Sequence, residues 1–197
     1  ATPFTVTAGP DAPAITGFTP SVGQAGTSIM VTGTNFETVP TNNRLTFNLG
    51  RAAVGTATAT SLGATVPGPG TSGRLTVVTP GGTAQSAQDF FVPPSPYTGA
   101  SVSTTGRLVI GGSSLTITIP AAGKIGMAVF DGTAGPQVSL GIGSGIVQAG
   151  AYVNRPDGTQ LATTGTTYNG ADLHIASLPV TGTYTILFVP NYTGSVV

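Results

Sequence analysis

Between Ser28 and Thr32 apolar and polar side chains alternate one for one, Ile29 and Val31 against Ser28, Met30 and Thr32. That is the period-2 pattern of a half-buried strand. Ile15 and Phe18 are apolar anchors ahead of a Pro20 turn, Gly23 and Gly26 supply the loop that follows, and Gly33-Thr34-Asn35 closes the strand before Phe36 returns to the core. The second half repeats the same grammar. Leu115 to Ile119 alternates and stops at Pro120, and Ile125 to Phe130 runs from a Gly123-Lys124 turn to Asp131-Gly132. Gln137 to Ile142, Ile146 to Val153, Leu173 to Ile175, Tyr184 to Val189 and Thr193 to Val197 are the later strands, with Gly141, Gly143 and Gly145 in a loop and Asn154-Arg155-Pro156-Asp157-Gly158 a turn. No window carries good helix formers at the 3.6-residue period, so the chain is predicted to be all-β.

Pro93-Pro94-Ser95-Pro96 divides the chain. Three prolines in four residues cannot sit in a central strand, and they predict an extended polyproline-like joint. Two units follow, 13–92 and 97–197, each near the usual domain size. Residues 1–12 form a lead-in, in which Phe4-Thr5-Val6 echoes Phe90-Phe91-Val92. The echo reads as the last strand of a preceding module, or as the first domain's own lead-in.

The order of motifs in the first unit resembles the IPT/TIG domain, an immunoglobulin-like sandwich. The resemblance rests on the stretch PAITGFTPSVGQAGTSIMVTGTNF at 13–36, then Leu45 and Phe47, Ala64-Thr65-Val66-Pro67, Gly73 to Val77, the turn Thr79-Pro80-Gly81-Gly82-Thr83-Ala84, and Ser86, Phe90 and Val92. The segment Asn48 to Arg51 departs from it, where relatives carry a Gly-rich hairpin. The resemblance implies a seven-strand antiparallel sandwich without catalytic residues. The turns at 131–140, 154–159 and 178–185 resemble the jelly-roll-like sandwich of bacterial surface and RHS-type proteins and the pre-peptidase C-terminal domain. The expected fold is therefore two tandem antiparallel β-sandwiches, the second again an accessory module.

Composition narrows the partners. Charged residues are 6% of the 197, with six basic and six acidic side chains, zero net charge and no cysteine. The basic residues Arg44, Arg51, Arg74, Arg107, Lys124 and Arg155 are scattered singly, which argues against a nucleic-acid backbone or an anionic membrane. No run is long and apolar enough for membrane insertion as a helix. Absence of cysteine removes disulfides and thiolate sites, and it fits a bacterial surface or secreted setting. The chain reads as a mature form or an excised piece.

Candidate chemistry is sparse. His174 is the only histidine; lying between Leu173 and Ile175, it is predicted to face solvent. No Ser lies in a G-x-S-x-G elbow, so the chain is read as non-enzymatic. Asp131, Asp157 and Asp172 are weak candidate Ca2+ ligands, and no other cofactor is expected. Leu178-Pro179-Val180-Thr181-Gly182 matches a sortase pentapeptide, but Thr183 to Val189 after it alternates as a core strand, so a turn is the expected reading, with Tyr184 a core aromatic. Without Trp, flat sugar platforms fall to tyrosines, of which Tyr168 and Tyr192 are the loop candidates.

The expected function is a structural stalk, spacer or self-association segment, its partners neighbouring β-sandwich modules or identical copies joined through uncharged edges such as Ser101 to Thr105 and Thr193 to Val197. The competing expectation is an accessory module that binds polysaccharide or a host surface.

Overall fold

A computed structural model describes residues 9–68, 70–143, 148–165 and 170–191. The lead-in echo at Phe4 to Val6, the tyrosines Tyr168 and Tyr192, and the segment Thr193 to Val197 lie outside them.

The first half is a pair of facing four-stranded sheets. Strands β1 (Ala14–Thr19), β2 (Ser28–Thr34), β5 (Val54–Ala57) and β6 (Ser61–Thr65) make one, in the order β1-β2-β6-β5; β3 (Arg44–Phe47), β4 (Gly50–Arg51), β7 (Gly73–Thr79) and β8 (Gly82–Phe90) make the other, in the order β4-β3-β7-β8. The alternation read from the sequence is what closes the sandwich. Ile29, Val31 and Leu62 from one sheet meet Leu45, Phe47, Leu75, Val77 and Phe90 from the other. Phe47 and Phe90 pack edge to face at 5.1 Å, the geometry that ring quadrupoles favour. At the segment that departs from the family pattern, β3 turns into β4 with Phe47 opposite Gly50. Asn48 takes the left-handed conformation, φ 49°, and its amide donates to Thr71 Oγ1 and the Ser72 carbonyl, both at 3.1 Å. Asparagine tolerates that region, so the tight hairpin survives without glycine at its first turn position.

The second half has a five-stranded sheet in the order β13-β12-β15-β10-β9, built from β9 (Val102–Leu108), β10 (Ile125–Gly132), β12 (Ala149–Asn154), β13 (Gln160–Gly165) and β15 (Gly182–Pro190). A two-stranded sheet of β11 (Val138–Ile142) and β14 (Ala171–Ile175) accompanies it. The expectation of a purely antiparallel sandwich needs one correction: β9 and β10 run parallel. A parallel pair cannot be joined by a hairpin, so residues 109–124 form a crossover. Here lies a second correction. Leu115 to Ile119, read as a strand, is extended but pairs with no ladder. Its alternation is real, since Leu115 and Ile117 pack on the core of Ala128, Phe130, Tyr184 and Ile186. In place of a ladder, the Thr118 carbonyl accepts from Ser103 Oγ at 3.2 Å and from Thr104 Oγ1. Two glycines make the approach possible. A Cβ on Gly106 would come within 2.6 Å of the Leu115 side chain, and one on Gly126 within 2.2 Å of Ile117.

Strand β10 is buried on both faces, which explains why it reads as an unbroken apolar run. Ala128 and Phe130 point into the second sandwich. Ile125, Met127 and Val129 point the other way, into a third core that contains Leu187 and, from the first half, Phe91, with Val22, Tyr97, Val102, Tyr152 and Val189 packed around it. Phe90 and Phe91 therefore serve different cores because consecutive side chains of an extended chain face opposite ways. The proline joint itself is no extended spacer. Pro93 is buried, and the Tyr97 amide closes a turn onto the Pro94 carbonyl at 2.9 Å.

Candidate functional site: the junction cleft

Beside that third core the junction turns polar. Asp89, at the end of β8, is buried, and a buried carboxylate needs a cation close by. Arg107 on β9 supplies it through two parallel bonds, Nε to Oδ2 at 2.8 Å and Nη2 to Oδ1 at 2.5 Å. Its third nitrogen, Nη1, donates to Asp131 Oδ2 on β10 at 2.5 Å, and Thr183 Oγ1 donates to the other Asp131 oxygen at 2.7 Å. The Asp89 hydrogen bond, reinforced by the charge of both carboxylates, holds the Arg107 guanidinium above its ordinary value against the opposing effect of burial. Paired guanidinium forks of this kind are directional, so they fix orientation as well as distance.

The same groups form one wall of a cleft of about 100 Å³. Arg107, Asp131 and Thr183 face Arg74, Thr76 and Gln85, which stand on the outward side of the β4-β3-β7-β8 sheet, and Asn48 in the β3–β4 turn. Of the chain's six basic and six acidic residues, two of each meet here. Arg74 differs from Arg107. Its cross-strand neighbour is Asp89, but that carboxylate is taken by Arg107. Arg74 Nη1 reaches only Gln85 Oε1, at 3.3 Å, and its buried Nε has no partner.

The positions singled out from sequence are dispersed. Asp131 belongs to the cleft; Asp157 sits in the β12–β13 turn, where Thr159 donates to it from the hydroxyl at 2.6 Å and the amide at 2.9 Å. Those two bonds hold the Asp157 carboxyl below its ordinary value. Asp172 lies on β14, opposite Gly141. Among the described residues no three His, Cys, Asp or Glu side chains gather to hold a metal ion. The three Ca2+ candidates are therefore not one site. His174 alternates outward between buried Leu173 and Ile175, and its Nδ1 shares a hydrogen with Ser139 Oγ at 2.7 Å across the β11–β14 pair. In the pentapeptide, Leu178 is buried and Val180 is clasped by Tyr184, whose hydroxyl donates to the Val180 carbonyl at 2.6 Å while the ring stacks on Phe130 at 5.2 Å. It is a turn feeding β15. Arg74 and Arg107 escaped the sequence reading because each is single in its own strand. The one local hint is that both stand at polar positions beside apolar runs.

Residues 13–92 match the IPT/TIG domain model. No curated protein matches. Among solved structures, an auxiliary nutrient binding protein from Bacteroides thetaiotaomicron aligns over 41% of this chain and 21% of its own, at 21% identity and TM-score 0.40. SGBP-B from a complex xyloglucan utilization locus in Bacteroides uniformis aligns over 99% of this chain and 72% of its own, at 12% identity and TM-score 0.37. The plexin A4 extracellular region aligns over 91% of this chain and 15% of its own, at 13% identity and TM-score 0.39. This chain thus spans about a fifth of the nutrient binding protein. Among the described residues no helix is long and apolar enough to cross a membrane.

Proposed function

With residues 13–92 an IPT/TIG domain, we propose that the chain is a non-catalytic spacer in a bacterial extracellular or cell-surface protein, two sandwiches held as one stiff unit. The observation that supports this reading is the junction. An apolar core to which Phe91 contributes from the first half and the Asp89–Arg107–Asp131 bridge join the halves through side chains of different geometry, which opposes both bending and twisting. A spacer needs that stiffness; a recognition module on a flexible tether does not. Its neighbours in the longer assembly are other sandwiches or identical copies, met through edge strands such as β9, which takes in Val102 to Thr105 of the expected outer segment Ser101 to Thr105 and carries a single charge. Small-angle scattering of the full chain tests the stiffness: the profile should fit one rigid body, and replacing Phe91 by Ser should broaden it into a distribution of inter-domain angles. Equal flexibility in both proteins rules the stiff spacer out. Ester, peptide and glycoside substrates should all be left unturned, and turnover abolished by His174→Ala would contradict the non-catalytic reading.

A further inference from the structure

The basic residues that lie scattered along the sequence are not scattered in the fold. Arg44 opens β3, Arg51 ends β4 and Arg74 is second in β7, and the register of these strands sets all three on the outward side of one sheet. Arg44 alternates with buried Leu45, Arg74 with buried Leu75, and Arg51 stands directly opposite Thr46, the next outward residue of β3. Half of the chain's six basic side chains therefore share one face. The only acidic residue in these four strands is Asp89, and Arg107 holds it. At the junction the charges cancel, Arg74 and Arg107 against Asp89 and Asp131. What remains on the face is Arg44 and Arg51, both exposed; among the described residues the ion pairs belong to Arg107 alone. The two are diagonal neighbours on adjacent antiparallel strands, about 7–8 Å apart, where like charges repel. Guarding the sheet edge accounts for Arg51 on the short outer strand β4. It does not account for a second cation beside it on β3, inside the sheet.

We propose that this face binds a linear polysaccharide that carries carboxylates, its acidic groups received by Arg44 and Arg51 and its hydroxyls by the threonines beside them. The surroundings select this partner. Thr46 pairs with Arg51 on one side and Thr76 on the other, and Thr83 lies across Val78 from Arg44, so the arginines border a sheet surface of hydroxyl groups that donate and accept. Phe47 and Phe90, the aromatic residues of these strands, point inward, which leaves nucleic-acid bases nothing to stack on. Val78 is the one large apolar side chain that the strands present outward, too little for the apolar centre of a protein interface. A guanidinium fork meets a carboxylate through two parallel bonds, but with both arginines open to water each contact is weak on its own. A repeating acidic chain engages both at once, and the second contact then forms at high effective concentration. The face draws on none of the charges in the cleft, and the inference does not rest on the spacer role.

The test is a titration of the isotope-labelled full chain, followed through the backbone amides of Arg44, Thr46, Arg51 and Thr76, with oligogalacturonate, a maltooligosaccharide of equal length, oligoglutamate and single-stranded DNA as separate probes. Oligogalacturonate should give saturable shifts at these amides that weaken as salt is raised, because exposed charges are screened. The neutral maltooligosaccharide should leave them unmoved at the same concentration. Arg44→Gln combined with Arg51→Gln should weaken oligogalacturonate by about tenfold or more, the loss of two exposed charge-assisted contacts, while Lys124→Gln, which removes a charge elsewhere, should bind as wild type does. Equal weakening by Lys124→Gln shows a response to net charge alone and overturns the face. Oligoglutamate or DNA binding as tightly as oligogalacturonate overturns the saccharide assignment. No response to oligogalacturonate, or an unchanged affinity in the double Gln variant, overturns the site. Should the double Gln variant fail to fold, Arg44→Lys combined with Arg51→Lys, which keeps the charges and loses the forks, is expected to bind with intermediate affinity; wild-type affinity there removes the two arginines from the site.

Discussion

Arg107 touches two carboxylates of very different exposure, the Asp89 side chain at 6% and the Asp131 side chain at 64%. Coulomb attraction is screened by water at Asp131 and not at Asp89. Arg107→Gln leaves a buried charge without a partner and should cost about 3 kcal/mol or more; Asp131→Asn should cost below about 1 kcal/mol. Urea unfolding of the two variants beside wild type checks the order, and equal losses would show that the buried half of the bridge carries no special weight. Asp157 gives the pH prediction at this scale. Its folded pKa lies below the ordinary carboxylate value, so what its turn contributes is present above the unfolded pKa and disappears as pH falls through the folded one. The Thr159 amide and hydroxyl are the donors that lose their acceptor. Thr159 amide exchange should accelerate on acidification below the ordinary aspartate range, and should be fast and pH-independent of this step in Asp157→Ala.

At the scale of the element, the crossover from β9 to β10 is unusual in having neither helix nor ladder. Its cohesion comes from Leu115 and Ile117 seated over Gly106 and Gly126, and its backbone is left largely to solvent. Hydrogen exchange should therefore separate two segments that look alike in sequence. Amides of 115–119 should exchange rapidly while those of 126–130, in a buried stretch paired on both sides, are protected. Comparable protection would mean that the crossover pairs with a neighbouring strand. Gly126→Val puts a side chain where Ile117 now packs; the cost expected of such overpacking is about 1–3 kcal/mol, read as a lowered denaturation midpoint with the crossover released first.

For the whole molecule the third core decides the behaviour of the halves. Ile125, Met127, Val129 and Leu187 are covered in part by Phe91 and Val22 of the other domain. Residues 97–197 expressed alone should therefore expose an apolar face and self-associate or lose stability, whereas residues 9–96 keep an entire core of their own. Sedimentation and thermal unfolding of the two pieces check this asymmetry; a stable, monomeric second half would reduce the junction to a contact between independent units. In the intact chain Phe91→Ala should cost about 3 kcal/mol or more and turn one unfolding transition into two.

Much of the molecule was written locally. The alternation of Ile29 and Val31, the inward pair Leu45 and Phe47, the turn at Thr79 to Gly82 and the family motif order specified the first sandwich, because a strand with one buried face must show its period in the chain. The run Ile125 to Phe130 likewise announced a strand, and the exposure of His174 followed from its neighbours. Elements without that alternation were read in part or not at all: β9, with the sequence Val-Ser-Thr-Thr-Gly-Arg-Leu, was expected only as an outer edge over Ser101 to Thr105, and β13, with Gln-Leu-Ala-Thr-Thr-Gly, was missed. Both are edge strands, held by backbone pairing on one side, so little in their side chains marks them. The cleft was hidden for a different reason. Arg74, Asp89, Arg107 and Asp131 are isolated charges in four separate strands, and nothing local relates them. Only the docking of two sheets through Phe91 sets them face to face, and only then does one arginine find two carboxylates and the other none.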